Sequence, residues 1–259
     1  MKQRPTIIAV ASQKGGTGKT TTSIHLAVAI AEMGYHVLLA DLDPQGHSAE
    51  GLGIAADSLK CELSDVLAGE KRVADIIIPD VRPGLDLLPS NIRLADMELT
   101  LVNVRFRENR LKRALEPVVN RYDYIFLDCP PSLGLLTVNA LIAANQVVIP
   151  MTSEYLSMLG VSRLLKTIQA IKAEANPDLG ILGILHTRHK HRTIHAREVI
   201  NRTKEELGDT VKVFATPIND STRFTEAMGQ GTTVFDTAPE LEGAQAYRDI
   251  AKEIVNATQ

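Results

Sequence analysis

The sequence has little of what holds a secreted or membrane protein together. Its 259 residues contain two cysteines, Cys61 and Cys129. Two thiols give no disulfide framework and suit a reducing cytoplasm. No uninterrupted apolar stretch approaches the roughly 20 residues of a membrane span. The N-terminal MKQRPTIIAVASQKGG also lacks an apolar run long enough for a signal peptide. Excess positive charge is missing as well. The net charge is -3, so the chain is no polycation, and any nucleic-acid contact must come from a local patch. Repeats, low-complexity tracts and an obvious linker are all absent. What remains, 44% hydrophobic and 23% charged residues, reads as one globular domain with a sizeable core, spanning 1–259.

Strand-like and helix-like segments alternate along the chain. TIIAVAS (6–12) is a short β-branched run ended by glycines. After it, Ile24, Ala27, Val28 and Ala31 recur at helical spacing over 20–33, and Gly34 stops the helix. HVLLAD (36–41), LDLLP (85–89), YDYIFLD (122–128), QVVIP (146–150), LGILGIL (179–185) and VKVFAT (211–216) read as further strands. PDVRPG, ahead of LDLLP, reads as a loop feeding that strand. Apolar strands alternating with helices predict an α/β fold, a mostly parallel twisted sheet with helices on both faces. Ligands bind such sheets at the carboxyl ends of the strands. Three unusual sequences fall there: QKGGTGKT, DLDPQ and DCPPS.

QKGGTGKT (13–20) joins a strand to a helix N-terminus, where backbone N–H groups can cradle an anion. Gly15, Gly16 and Gly18 allow close approach. Lys19 would reach the terminal phosphates of a nucleotide, and the Thr20 hydroxyl would ligate magnesium. A dinucleotide-binding loop fits less well. After Gly16-Thr17-Gly18 its third glycine position is Thr21, and Lys19-Thr20 has no purpose in it. The expected ligand is therefore a nucleoside triphosphate with Mg2+. Asp128, ending IFLD, stands where an acid serving the magnesium belongs. The alternatives are a plain glycine turn and a capping aspartate.

KGGTGKT, VLLADLDPQG and YIFLDCPPSLG, in that order, resemble the deviant Walker A ATPases of the ParA/Soj partitioning type within the ParA/MinD superfamily. IPMTSEYLSMLGV (149–161) and TPINDSTRFTEAMGQG (216–231) extend the likeness over most of the chain. The resemblance implies a single-domain P-loop NTPase that forms a homodimer with ATP. It makes Lys14 the residue that crosses to the other subunit's nucleotide. Asp43 becomes the water-positioning acid, and Asp41 the acid near Lys19 and magnesium. The implied ATP contacts are Lys14, Gly15, Gly16, Thr17, Gly18, Lys19, Thr20 and Thr21, with Pro217 and Asn219 at the adenine. This chain reads TPIND where many Soj-like members have Pro-Arg-Asn. The implied activity is slow ATP hydrolysis stimulated by a ParB-like centromere-binding partner. With only about a dozen residues before the loop, no N-terminal helix-turn-helix is expected.

TRHKHRTIHAREVINRTK (187–204) sets six cations against Glu198 alone. Clustered cations without base-reading aromatics suit nonspecific duplex DNA. The resemblance implies contacts from Arg188, Lys190, Arg192 and Arg197, with Arg223 nearby, and a cytoplasmic, nucleoid-associated protein. His186, His189, His191 and His195 read as exposed members of that patch, since interleaved arginines repel a metal ion. RFRENRLKR (105–113) is a second basic stretch: a DNA contact, a partner contact or a solvated helix. Relatives of other classes leave alternatives. One is an iron–sulfur reductase component, which neither cysteine's context supports. Another is a membrane-cycling MinD type, but the tail AQAYRDIAKEIVNATQ lacks a basic face and reads as packed on the core. A third is an ATPase that positions other cargo on nucleoid DNA.

Overall fold

A seven-stranded sheet forms the middle layer of the computed structural model, which describes residues 4–55, 58–190 and 194–259. The strands are β1 (Thr6–Val10), β2 (Val37–Asp41), β3 (Ile78–Arg82), β4 (Leu85–Leu88), β5 (Tyr124–Asp128), β6 (Gln146–Thr152) and β7 (Gly180–Thr187). They lie in the order β3-β4-β2-β5-β1-β6-β7. Every neighbouring pair is parallel except the β3/β4 hairpin. The helices, in chain order, are α1 (Lys19–Glu32), α2 (His47–Gly51), α3 (Leu63–Ala68), α4 (Met97–Thr100), α5 (Arg110–Leu115), α6 (Leu135–Ala143), α7 (Tyr155–Glu174), α8 (Ile194–Leu207), α9 (Thr222–Gly229), α10 (Val234–Thr237) and α11 (Glu242–Thr258).

Successive strand residues point to opposite faces, so each strand feeds two cores. Ile8 and Val10 join the cluster built on α1 and α11, while Ala9 and Ala11 join the one built on α6 and α7. Apolar residues on both faces explain why these strands read as continuous hydrophobic runs. The apolar stripe of α11, including Tyr247, Ile250, Ala251 and Ile254, is buried, and this helix packs against α1. That is the core-packed C-terminal helix the sequence predicts. Among the described residues no helix is long and apolar enough to cross a membrane.

Two predicted elements differ. PDVRPG is not a loop: β3 occupies 78–82 and turns through Pro83-Gly84 into β4, with Gly84 at φ 77°. The polar Asp80 and Arg82 mark it as an edge strand, which charges protect from further pairing. Its Arg82 is fastened to Asp236 (2.8 Å) and Thr232 (2.7 Å), 154 and 150 residues away, contacts no local pattern reveals. Conversely, 211–216 forms no regular strand. It meets β7 through Ile184 N–H to Lys212 O (2.8 Å) and Phe214 N–H to Ile184 O (3.0 Å). The next contact is Ile218 N–H to His186 O (2.8 Å), so four residues of this segment advance against two of β7 and it bulges out of a regular ladder.

Two histidines are buried in the neutral form. His25, on α1, donates from Nδ1 to Thr21 O (2.7 Å) and accepts from Val234 N–H (3.4 Å) at Nε2. Aromatic rings of Phe224, Phe235 and Tyr247 surround it. Burial lowers its pKa to about 4. His186 of β7 is 1% exposed with neither ring nitrogen hydrogen-bonded, and burial brings it to about 4 as well. These groups stay neutral in the fold but take up a proton in the unfolded chain below its ordinary pKa near 6.5. Each therefore removes stability as pH falls from about 6.5 to about 4, by about 1.4 kcal/mol per pH unit. The raised carboxylates described below act in the opposite sense, so the readout is a difference. Chemical unfolding of wild type and His25→Gln at pH 7.5 and pH 5 should show a gap in stability that narrows at pH 5. A gap constant with pH would mean that His25 is protonated alike in both states.

Candidate functional site

Parallel pairing places the ends of β2, β5 and β1 side by side, with Asp128 level with both Asp41 and Val10. The glycine loop leaves β1 there. Gly16 (φ 72°) and Gly18 (φ 73°) take the left-handed conformation that other residues resist. Gly18 is the residue before α1, and no side chain caps that helix. Its first N–H groups are thus aimed into the loop with no side-chain acceptor, the arrangement that holds a phosphate. Thr17 is fully buried and its hydroxyl donates to Lys14 O (3.4 Å), closing the loop on itself. A Cβ on Gly15 would meet nothing within 4 Å, so this glycine faces open space.

Lys19 begins α1 and is 6% exposed. Burial lowers its pKa, and the neighbouring Asp128 and Asp43 oppose that shift. Asp128 accepts from Ser23 Oγ (2.9 Å) at Oδ1, while its buried Oδ2 has no hydrogen-bond partner. Burial, then the charge of Asp41, push its pKa well up; Thr20, Ser23 and Lys19 pull it back. A carboxylate oxygen left unpaired beside a threonine hydroxyl and a helix N-terminus is the donor set a magnesium ion would use with phosphate oxygens. Among the described residues no group of three or more His, Cys, Asp and Glu could hold a metal ion alone. Asp41, the third predicted acid of the magnesium site, ends β2 level with Asp128. Its two oxygens accept from Asp43 N–H (2.9 Å) and Ser48 N–H (3.0 Å), so it shapes the DLDPQG turn. Burial raises it to about 6.

That turn presents Asp43, half-buried, with its Oδ1 accepting from Gln45 N–H (3.0 Å). Ser90 Oγ donates to Asp43 O (2.6 Å) from the end of β4. The same chain crosses so near Gly46 (φ 65°) that a Cβ there would stand 2.7 Å from Ser90 O. Gly46 and Ser90 were not among the predicted site residues; the glycine in DPQG was the only available signal.

Lys14 does not point at the loop. Its ammonium pairs with Glu154, just before α7, and lies 3.4 Å from Ser157 Oγ. A cleft of about 470 Å3 opens beside the loop, lined by Gly16, Gly18, Arg188, Ile218, Asn219 and Phe224 among others. Asn219 lines it, with its Nδ2 donating to Glu242 (2.9 Å), and Pro217 is not among the lining residues.

The predicted DNA contacts lie on several elements. Arg188 takes φ 50°, which turns it back onto the cleft, where it reaches Asp220 (3.3 Å) and Gly16 O (3.5 Å). Its neighbour Thr187 donates to Thr17 O (2.8 Å), tying β7 to the glycine loop. Arg223 is exposed at the start of α9 and pairs with Glu226. Lys190 and Arg197 are exposed, the latter on α8; Arg192 and His191 lie outside the described residues. The histidines correct the reading of an exposed patch. His186, on β7, and His189, two residues past its end, are both buried, and His189 Nδ1 meets Ser153 Oγ (3.1 Å). Cys129 is fully buried in the core and burial raises its thiol; Cys61 is half-buried.

A glycine loop between β1 and α1, a buried lysine in its helix, and an acid ending the adjacent β5 define the class: a P-loop NTPase of mostly parallel α/β architecture. The AAA-domain family matches residues 5–181. The chain is 45% identical to the sporulation initiation inhibitor protein Soj of Bacillus subtilis, over 96% of this chain and 97% of that one. It is 38% identical to the chromosome partitioning protein ParA of Caulobacter vibrioides, over 96% and 94%. Among solved structures, cobyrinic acid a,c-diamide synthase from Mycobacterium smegmatis, with bound ATP analog and magnesium, superposes with a TM-score of 0.85 at 37% identity, over 97% of this chain and 94% of that one. The chain therefore belongs to the ParA/MinD superfamily of partitioning ATPases.

Proposed function

We propose that this chain is a Mg-ATP-dependent dimerising ATPase of the ParA type, which binds double-stranded DNA without sequence preference and serves DNA partitioning with a ParB-like partner. One observation carries the reading. Lys19, Asp128 and Asp43 converge at three adjacent strand ends around a glycine loop, and Asp128 keeps a buried oxygen unpaired. The loop N–H groups and Lys19 bind the phosphates. Thr20 and Asp128 hold magnesium, which neutralises charge on the phosphates during transfer. Asp41 fixes the turn that aims Asp43 at the attacking water. Asn219 reads the base end of the cleft. The chain acts in the cytoplasm, on nucleoid DNA.

Asp43→Ala should leave Mg-ATP affinity within about twofold and slow turnover by about 10²-fold or more, the usual range for a group that acts on a proton or water. Steady-state phosphate release and equilibrium binding of a fluorescent ATP analogue measure the two effects. Unchanged turnover would give the water-positioning role to another residue.

The reading as a whole is tested by gel filtration with and without ATP, followed by a salt titration of DNA binding. ATP should convert monomer to dimer, and only the dimer should hold duplex DNA tightly. Log affinity should fall with log salt by about 0.9 per phosphate contact, alike for unrelated sequences. An ATP dimer without affinity for DNA at low salt would replace DNA by a membrane or protein surface.

A further inference from the structure

A second cleft, of about 460 Å3, lies between the end of α3 and the start of α5. Five cations line it: Lys71, Arg72, Arg105, Arg110 and Arg113. No carboxylate does, and it shares no lining residue with the cleft beside the glycine loop. Its floor is apolar, with Val66 and Val73 buried. In a chain of net charge -3 this is a marked concentration of one sign.

Three of the arginines are held in place. Arg110 donates from Nη1 to Leu67 O (2.8 Å) at the end of α3. Arg113 lies over the Phe106 ring at 5.3 Å. Arg72 makes a double contact with Asp75 (2.7 and 2.8 Å) at the rim. Among the described residues Asp75 is the only carboxylate that forms a salt bridge with one of the five, and Lys71 and Arg105 enter none. Phe106 holds its place with φ 57°, a left-handed conformation that a bulky residue adopts at a cost. That turn leaves its ring 63% exposed and under Arg113. The basic stretch 105–113 is thus not a plain solvated helix face. It is folded back, so that Arg105, Arg110 and Arg113 converge on the Lys71–Arg72 loop.

We infer that this cleft is a binding site for a small phosphate-bearing anion, separate from the ATP site. Arginine forks match phosphate oxygens in pairs of charge-assisted hydrogen bonds. A multiply charged anion also relieves the mutual repulsion of the five cations. The size falls within the roughly 300–1,000 Å3 of small-molecule sites, and an apolar floor suits a ligand with an uncharged body. A DNA duplex presents its phosphates on a convex rod and would touch the rim alone.

The test uses the full chain with the glycine loop filled by saturating Mg-ADP, titrated calorimetrically with inorganic pyrophosphate. One further anion should bind per chain. Lys71→Ala/Arg105→Ala, two exposed positions, should weaken it at least tenfold, while the thermal midpoint and Mg-ADP affinity stay as in wild type. Lys71→Arg/Arg105→Lys should bind within threefold of wild type. The inference is overturned if wild type takes up no pyrophosphate beside Mg-ADP, or if the alanine pair binds it equally well. It fails too if that pair loses Mg-ADP affinity, since the cleft would then not be separate. Binding of duplex DNA or of polyglutamate, lost in the alanine pair and without pyrophosphate binding, would make the cleft a macromolecular surface instead.

Discussion

Lys19→Ala is expected to lose Mg-ATP binding by a factor of roughly 10² to 10⁴, because each charge-assisted contact to a phosphate is worth about 1.5–3 kcal/mol and two such contacts vanish. The structure adds a reason the loss should be specific. The protein's own chain buries Lys19, and burial lowers its pKa while Asp128 and Asp43 oppose that shift. The cation is therefore desolvated in advance, and its contact with phosphate is not repeatedly set against water. Alanine removes this group but leaves Gly16, Gly18 and the uncapped start of α1 as they are. Binding of a fluorescent ATP analogue should fall beyond the measurable range, with the far-ultraviolet circular dichroism unchanged. A folded Lys19→Ala protein that keeps near-normal affinity would remove the phosphate role of the loop.

What the sequence makes legible here is local and periodic. The β1, β2 and β5 runs, the helix after the loop and the stop at Gly34 need only neighbouring residues to be read, and all stand in the structure within a residue or two. Asp128 is legible as well, because a strand that ends in an acid puts it at the sheet's carboxyl edge. The hidden parts depend on distant chain or on backbone turns. Arg188 looks like one more cation in a basic run, yet its left-handed turn and its contact with Gly16, 172 residues away, put it on the cleft. His186 and His189 sit among arginines in sequence, but β7 is buried on both faces around His186, and His189 finds a partner at Ser153 inside. The β3 edge strand hides behind Pro83-Gly84, residues that serve a loop or a hairpin turn equally well.

Lys14→Ala is expected to keep measurable ATP affinity, since Lys19 and the loop remain, and to lose ATP-dependent dimerisation together with about 10³-fold or more of turnover, the scale on which a cation supplied from across an interface acts in phosphoryl transfer. In the single chain Lys14 is turned away from its own loop and paired with Glu154 and Ser157. Service to the opposite subunit's nucleotide therefore requires Lys14 to leave Glu154. The pair is exposed, at 36% and 62% of the two side chains, so the cost of parting is small, about 0–1 kcal/mol. That bound yields a second expectation. Glu154→Gln should shift the ATP concentration needed for dimerisation downward by no more than about fivefold, while Lys14→Ala abolishes dimerisation at any concentration. Sedimentation velocity across an ATP series, with phosphate release on the same samples, measures both. If Lys14→Ala dimerises and hydrolyses like wild type, the ion pair with Glu154 is all that this lysine does. If Glu154→Gln instead prevents dimerisation, the carboxylate itself takes part in the interface, and Lys14 does not act alone.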